Sequence, residues 1–201
     1  MATKDFPHVL KPDAESWGIK YNSMIFTSDF NGTIQTLSMP GAKWNCSMTF
    51  TKREGKAARQ LQGFMVSLQG KAGRFWVVPT DWKPEGTAQG TPETLAAVAN
   101  GVTVLETGGW DVNQSEALAI GDYFEVSGEL KKVTDTVSSD GSGNATVHFG
   151  PPLRFGLGSG TQLRLIEPRC RMMVTSDSAD WNVSSPVIYA QDIDCIEALD
   201  I

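Results

Sequence analysis

Histidine is nearly absent from this chain and cysteine is sparse, with two and three residues among 201. The histidines, His8 and His148, stand far apart in sequence, and Cys46, Cys170 and Cys195 include no close pair. That distribution gives no zinc-ribbon spacing, and an odd cysteine count argues against a disulfide framework. The cysteines lie in apolar, strand-like contexts and read as small buried hydrophobes. A Cys46–His148 nucleophilic pair has no local support, since the two must lie within hydrogen-bond reach to act together. Long apolar runs are also missing, so no segment reads as a bilayer span. The opening MATKDFPHVLKPDAES lacks the apolar core of a secretory signal. These absences lead us to expect a protein made in a cytoplasm, with no catalytic residue, metal or cofactor.

Basic charge is in short supply as well, with 17 Lys and Arg against 23 Asp and Glu and a net charge of −6. An acidic protein is a poor candidate for gripping phosphate backbones. The charge is uneven: residues 1–80 carry +5 and residues 81–201 carry −11. Two faces of opposite potential would favour head-to-tail stacking of like subunits.

The best-patterned stretch is a strand–helix–strand block from Trp44 to Pro79. Trp44, Cys46, Met48 and Phe50 alternate with Asn45, Ser47 and Thr49, the period of a half-buried strand. A helix is predicted over Lys52–Gln69, with Thr51 as N-cap, Glu54 completing a capping box and Gly70 as C-cap. Ala57, Leu61, Phe64 and Leu68 form its apolar stripe. GRFWVVP then reads as a second strand ended by proline.

Residues 1–24 read as irregular, followed by short strands at Met24–Ser28 and Gly32–Leu37 around an Asn31-Gly32 turn. Met39-Pro40-Gly41 reads as a further turn, and the Pro-, Gly- and Thr-rich stretch 80–100 as a linker. Short strands are expected at Gly101–Leu105, Tyr123–Val126, Glu129–Val137, Ala145–Phe149 and Gln162–Ile166, a spacing that suits a small antiparallel barrel or sandwich. Arg169–Thr175 and Val187–Leu199 read as closing strands, the latter central and able to pair within the N-terminal domain. The expected fold is mainly β. A β-sandwich or barrel parent domain (1–84 and 168–201) with one flanking helix would carry a small inserted antiparallel β-domain (85–167).

Ser139–Asn144 loosely resembles the start of a calcium loop but lacks the later bidentate glutamate, so it reads as a turn. Gly156, Gly158 and Gly160 lie between prolines and a strand, not between a strand and a helix N-terminus, so they form a loop and no phosphate cradle. Of six tryptophans, Trp17, Trp82, Trp110 and Trp181 fall in predicted loops or linkers. Loop indoles serve as interface anchors or as sugar platforms, and the former reading is preferred.

Three features carry a family resemblance: TKREGKAARQLQGFMVSLQG, GRFWVVP directly after it, and the closing VIYAQDIDCIEAL. With the central GDYFEVSGELKKVTD and DGSGNATVHFGPPLR, they resemble the distal tail proteins and lambda-like minor tail proteins of long-tailed bacteriophages. The resemblance implies a β-sandwich with a flanking helix. It also implies a homohexameric ring at the virion tail tip that joins the tail tube protein to hub or baseplate proteins, with the tape-measure protein as a further neighbour. DNA would pass through the lumen without specific binding, and no membrane would be involved. The chain departs from the distal tail proteins of phages that infect Gram-positive hosts, which carry a separate C-terminal domain, in having its extra domain inserted before the last strands. The competing expectation is a carbohydrate-binding β-module for host-surface attachment.

Overall fold

A computed structural model describes residues 2–7, 10–184 and 188–198. Its strands form two sheets, which draw on different parts of the chain. The first takes β1 (Lys4–Asp5), β2 (Ala14–Thr27), β3 (Ile34–Arg53), β4 (Phe75–Val77), β11 (Cys170–Val174), β12 (Asn182–Ser184) and β13 (Ile188–Glu197). Its order is β1-β4-β11-β13-β3-β2, with β12 alongside β13. The second takes β5 (Gly90–Thr94), β6 (Val104–Trp110), β7 (Tyr123–Val126), β8 (Glu129–Val133), β9 (Ala145–Gly150) and β10 (Leu163–Arg164), in the order β10-β7-β8-β9-β6-β5. An antiparallel bridge between Glu93 and Gln162 joins the two ends of that order, so the sheet curls into a nearly closed barrel.

The alternation in Trp44–Phe50 has the structural effect its period demands. Trp44, Cys46, Met48 and Phe50 are all buried on one face of the first sheet. The late strand β13 is central, with β3 on one side and β11 on the other, and Ile193 and Cys195 lie directly opposite Met48 and Cys46. Val187 and Leu199, the expected ends of this strand, lie outside the described residues. The helix α1 (Gly55–Leu68) packs its Leu61, Phe64, Met65 and Leu68 into the same core. Phe64 meets Phe6 and Phe75 edge-on at 5.2 and 5.6 Å, an arrangement the ring quadrupoles favour.

The helix boundaries differ from expectation. Thr51 belongs to β3, where its N–H and hydroxyl both donate to Asp13 Oδ2 at 2.7 and 2.8 Å, so it caps nothing. Glu54 is the N-cap residue and makes no side-chain capping bond. Gln69, not Gly70, holds the left-handed C-cap position. Ala58 and Met65 join the buried stripe, while Ala57 is only half-buried.

Three stretches expected to be irregular are strands. Residues 14–24 lie in β2, the Met39–Gly41 segment lies in β3 beside a register shift between Lys20 and Asn22, and residues 90–94 form β5 inside the expected linker. The two short strands expected around Asn31-Gly32 are therefore the tips of one long hairpin. The Ser127-Gly128 turn is as expected: both residues have positive φ, as a two-residue hairpin loop requires. Several barrel strands are displaced or shorter. The strand expected at 101–105 starts at Val104 and runs to Trp110, the pairing expected through Val137 stops at Val133, and that expected over 162–166 covers only Leu163–Arg164.

The barrel has its own core, including Leu105, Phe124, Val147 and Phe149, yet Tyr123 and Leu130 point into the core of the first sheet. Trp44 Nε1 donates to Leu130 O at 2.9 Å, which ties the two sheets through a buried bond.

Candidate assembly surface

The β2–β3 hairpin leaves the body beyond the register pair Lys20–Lys43 and continues to a tip at residues 28–33. Closer to the body, Trp17 and Ile19 lean on the main core. Past that point, apart from the buried Ala42 and the half-buried Met39, the strands of the ribbon are exposed. Tyr21, Met24, Ile25, Phe26, Phe30 and Ile34 are all more than 45% exposed, and Phe30 at the tip reaches 99%. Pairing sets Met24 against Leu37 on one face, and Ile25 against Thr36 and Thr27 against Ile34 on the other. Both faces therefore carry apolar side chains. A two-stranded ribbon has little stability of its own in water, and a contiguous exposed apolar surface marks a place where something else binds. Between residues 21 and 42 the only charged side chain is Asp29. The outward edge of β2 is unpaired among the described strands, leaving an open row of backbone donors and acceptors.

The four tryptophans do not form one surface. Trp110 is a correction: it ends β6, is 4% exposed, and donates its indole N–H to Thr107 Oγ1 at 2.8 Å, so it is a barrel core residue. Trp17 is on a strand, not in a loop; it is half-buried, edge-on to Trp44 at 5.9 Å, with its N–H donated to Glu15. Trp82 does lie in an irregular segment and lines a hollow of about 260 Å³ with Trp76, Pro7, Pro79 and Glu15. Trp181 lies outside regular structure and is 41% exposed. Sequence reading found the hairpin at the arm's tip but missed its length and its exposed apolar surface, although Met24–Phe26, three consecutive large apolar residues, was an available signal.

Where the barrel meets the first sheet, charges are buried. Glu197 on β13 accepts from Arg154 Nη2 at 2.8 Å and from Trp44 N at 3.0 Å. Glu129 and Lys131 on β8 pair at 2.7 Å, and Glu129 also accepts the N–H groups of Arg154 and Phe155. Burial pushes the Glu197 carboxyl above its ordinary range despite Arg154, and lowers Lys131 despite Glu129. Each of these charges has an opposite partner, which suits a joint between the two sheets, while Glu129 and Glu197 also border a hollow of about 300 Å³. Asp122 fixes the connection into the barrel by accepting the N–H groups of Glu85 and Gly86.

The remaining chemical candidates separate. Cys46, Cys170 and Cys195 are free and buried. The Cys46 thiol is pushed far up by its contact with Cys195 and by burial, which keeps it protonated and unreactive. His148 is exposed on β9 of the second sheet, whereas Cys46 is buried in the core of the first, and His8 lies outside the described residues. Asp140 closes the 139–144 turn by accepting from Ser142 N and Asn144 N at 2.7 and 2.9 Å. Among the described residues no group of three or more His, Cys, Asp or Glu could hold a metal ion. Among the described residues no helix is long and apolar enough to cross a membrane. No protein-family model matches the chain, and no curated protein matches it.

Proposed function

We propose that the protein is a non-enzymatic structural subunit of a bacteriophage tail tip, forming a ring at the distal end of the tail tube. In this role it joins the tube to the hub and host-recognition apparatus and leaves a passage for DNA. The observation that carries the reading is the protruding hairpin with apolar side chains on both faces. Such a ribbon has a physical rationale in an assembly, because burial against a partner is what stabilises it. The helix packed on a sheet that joins Trp44–Phe50 to the late strand agrees with the resemblance in the sequence. The glycan-binding alternative loses its platform on the barrel, because Trp110, the only tryptophan between residues 85 and 167, is inside its core. The test is immunogold labelling of phage particles produced by the source genome, using antibodies to the barrel. Label at the tail tip supports the reading; particles that carry none of the chain overturn it.

A further inference from the structure

We propose that the arm beyond Lys20 and Lys43 docks on a second copy of this chain, with those two lysines seated against the Asp192–Asp194 face of that copy. This deepens the ring reading and rests on it for the identity of the assembly.

Three observations point to a like copy as the occupant. The first is area. Leu37 is also exposed, and the arm's seven exposed large side chains range from 47 to 99% exposure. At roughly 200 Å² for a large side chain they offer about 900 Å². A standard interface takes about 800 Å² from each partner. The second is charge at the root. Lys20 and Lys43 face each other directly across the hairpin, an unfavourable like-charge pair, and neither has an ion-pair partner among the described residues. Their neighbours Ile19 and Trp44 turn inward, so the lysines lie on the outer face of the sheet.

The third is the complementary patch. Asp192 and Asp194 are exposed on the outer face of β13, alternating with buried Ile193 and Cys195, and neither forms an ion pair among the described residues. Asp192 and the exposed Asp180 border a hollow of about 490 Å³. The patch cannot serve the lysines of its own copy. Asp194 sits opposite Ser47, four residues along β3 from Lys43, which is about 13 Å of extended strand. Two unlike patches that satisfy each other only between molecules make a heterologous, head-to-tail contact. The near absence of charge along the arm leaves nothing on it to grip a nucleic acid.

Charge exchange on the full chain tests this. One variant carries Lys20→Glu with Lys43→Glu, and the other carries Asp192→Lys with Asp194→Lys. Unchanged thermal unfolding and circular dichroism show that each variant folds. Sedimentation velocity over a concentration series reads self-association. The wild type is expected to associate, each variant alone to associate at least about tenfold more weakly, and an equimolar mixture to recover, since each then offers the sign the other needs. Three results overturn the docking: a wild type that stays monomeric at every concentration, variants that associate as the wild type does, or a mixture that fails to recover. Binding of the arm to phosphatidylcholine–phosphatidylglycerol vesicles without self-association also overturns it. Association that ignores the charge exchange sinks this contact and leaves the ring; particles devoid of the chain sink the ring and leave the contact.

Discussion

Asp13 shows how one residue can outrank a local motif. Its carboxylate accepts the N–H and hydroxyl of Thr51 and an Arg53 ion pair at 3.0 Å, which hold its pKa down to about 2. The folded pKa lies below the unfolded value of 3.8, so the contribution is present above about pH 4 and is lost as pH falls toward 2. Asp13→Asn should therefore give a shallower loss of stability between pH 4 and 2, read by urea unfolding at stepped pH. Glu197 has the opposite sign. Its folded pKa is raised by burial, so the folded state binds the extra proton, and this group's contribution grows as pH falls through the folded value toward 4.5. Truncation is a different matter, because it strands Arg154 in a buried joint. Glu197→Ala should cost about 3–5 kcal/mol by denaturant unfolding at neutral pH.

At the scale of elements, the helix depends on docking. Leu61 is 2% exposed in the core, and Leu61→Asp would bury a charge with no partner, costing more than about 4 kcal/mol or preventing folding. Gly63 is the counter-case on the exposed side of α1: a Cβ there meets nothing within 4 Å. Gly63→Ala should raise stability by about 1 kcal/mol, read from the denaturation midpoint. The elements that were legible in the sequence had one dominant cause each. Trp44–Phe50 could be read because one face is wet and one dry, and the 127–128 turn because its backbone demands positive φ. The arm was legible only at its tip, as two short strands around Asn31-Gly32; its length was not, because residues 14–24 and Met39–Gly41 carry no clear period of two. Thr51 and Glu54 spell a capping box locally, but Asp13, far away in sequence, holds Thr51 in β3. Trp110 reads as loop because Gly108 and Gly109 precede it. In fact Gly109, with φ +88°, is where backbone crowds backbone, since a Cβ there would sit 2.6 Å from Thr91 O.

On the scale of the whole molecule, the two sheets share a boundary that neither can lose cheaply. Trp44 links to Leu130 by its indole N–H, to Glu197 by its backbone N–H, and to Tyr123 by ring contact at 6.1 Å. Trp44→Phe keeps most of the apolar volume but orphans Leu130 O. It should cost about 1–3 kcal/mol and should destabilise barrel and sheet together. Hydrogen exchange on β8 and β13 reads both sides of the joint in one experiment.

The central place of β13 also sets an order of events during synthesis. β3 emerges early, but the partner that fills the middle of its sheet is translated some 145 residues later. At roughly 5–20 residues per second, that gap lasts about 7–30 s. All six barrel strands are made within it. We therefore expect the nascent chain to finish its barrel first, while Cys46, Met48 and Phe50 wait uncovered beside the apolar arm. Chains ending at residue 175, and so lacking β13, held on the ribosome by a linker long enough to carry the barrel clear of the exit tunnel, should resist protease across the barrel and be cut within β3; equal protection of both would refute this order.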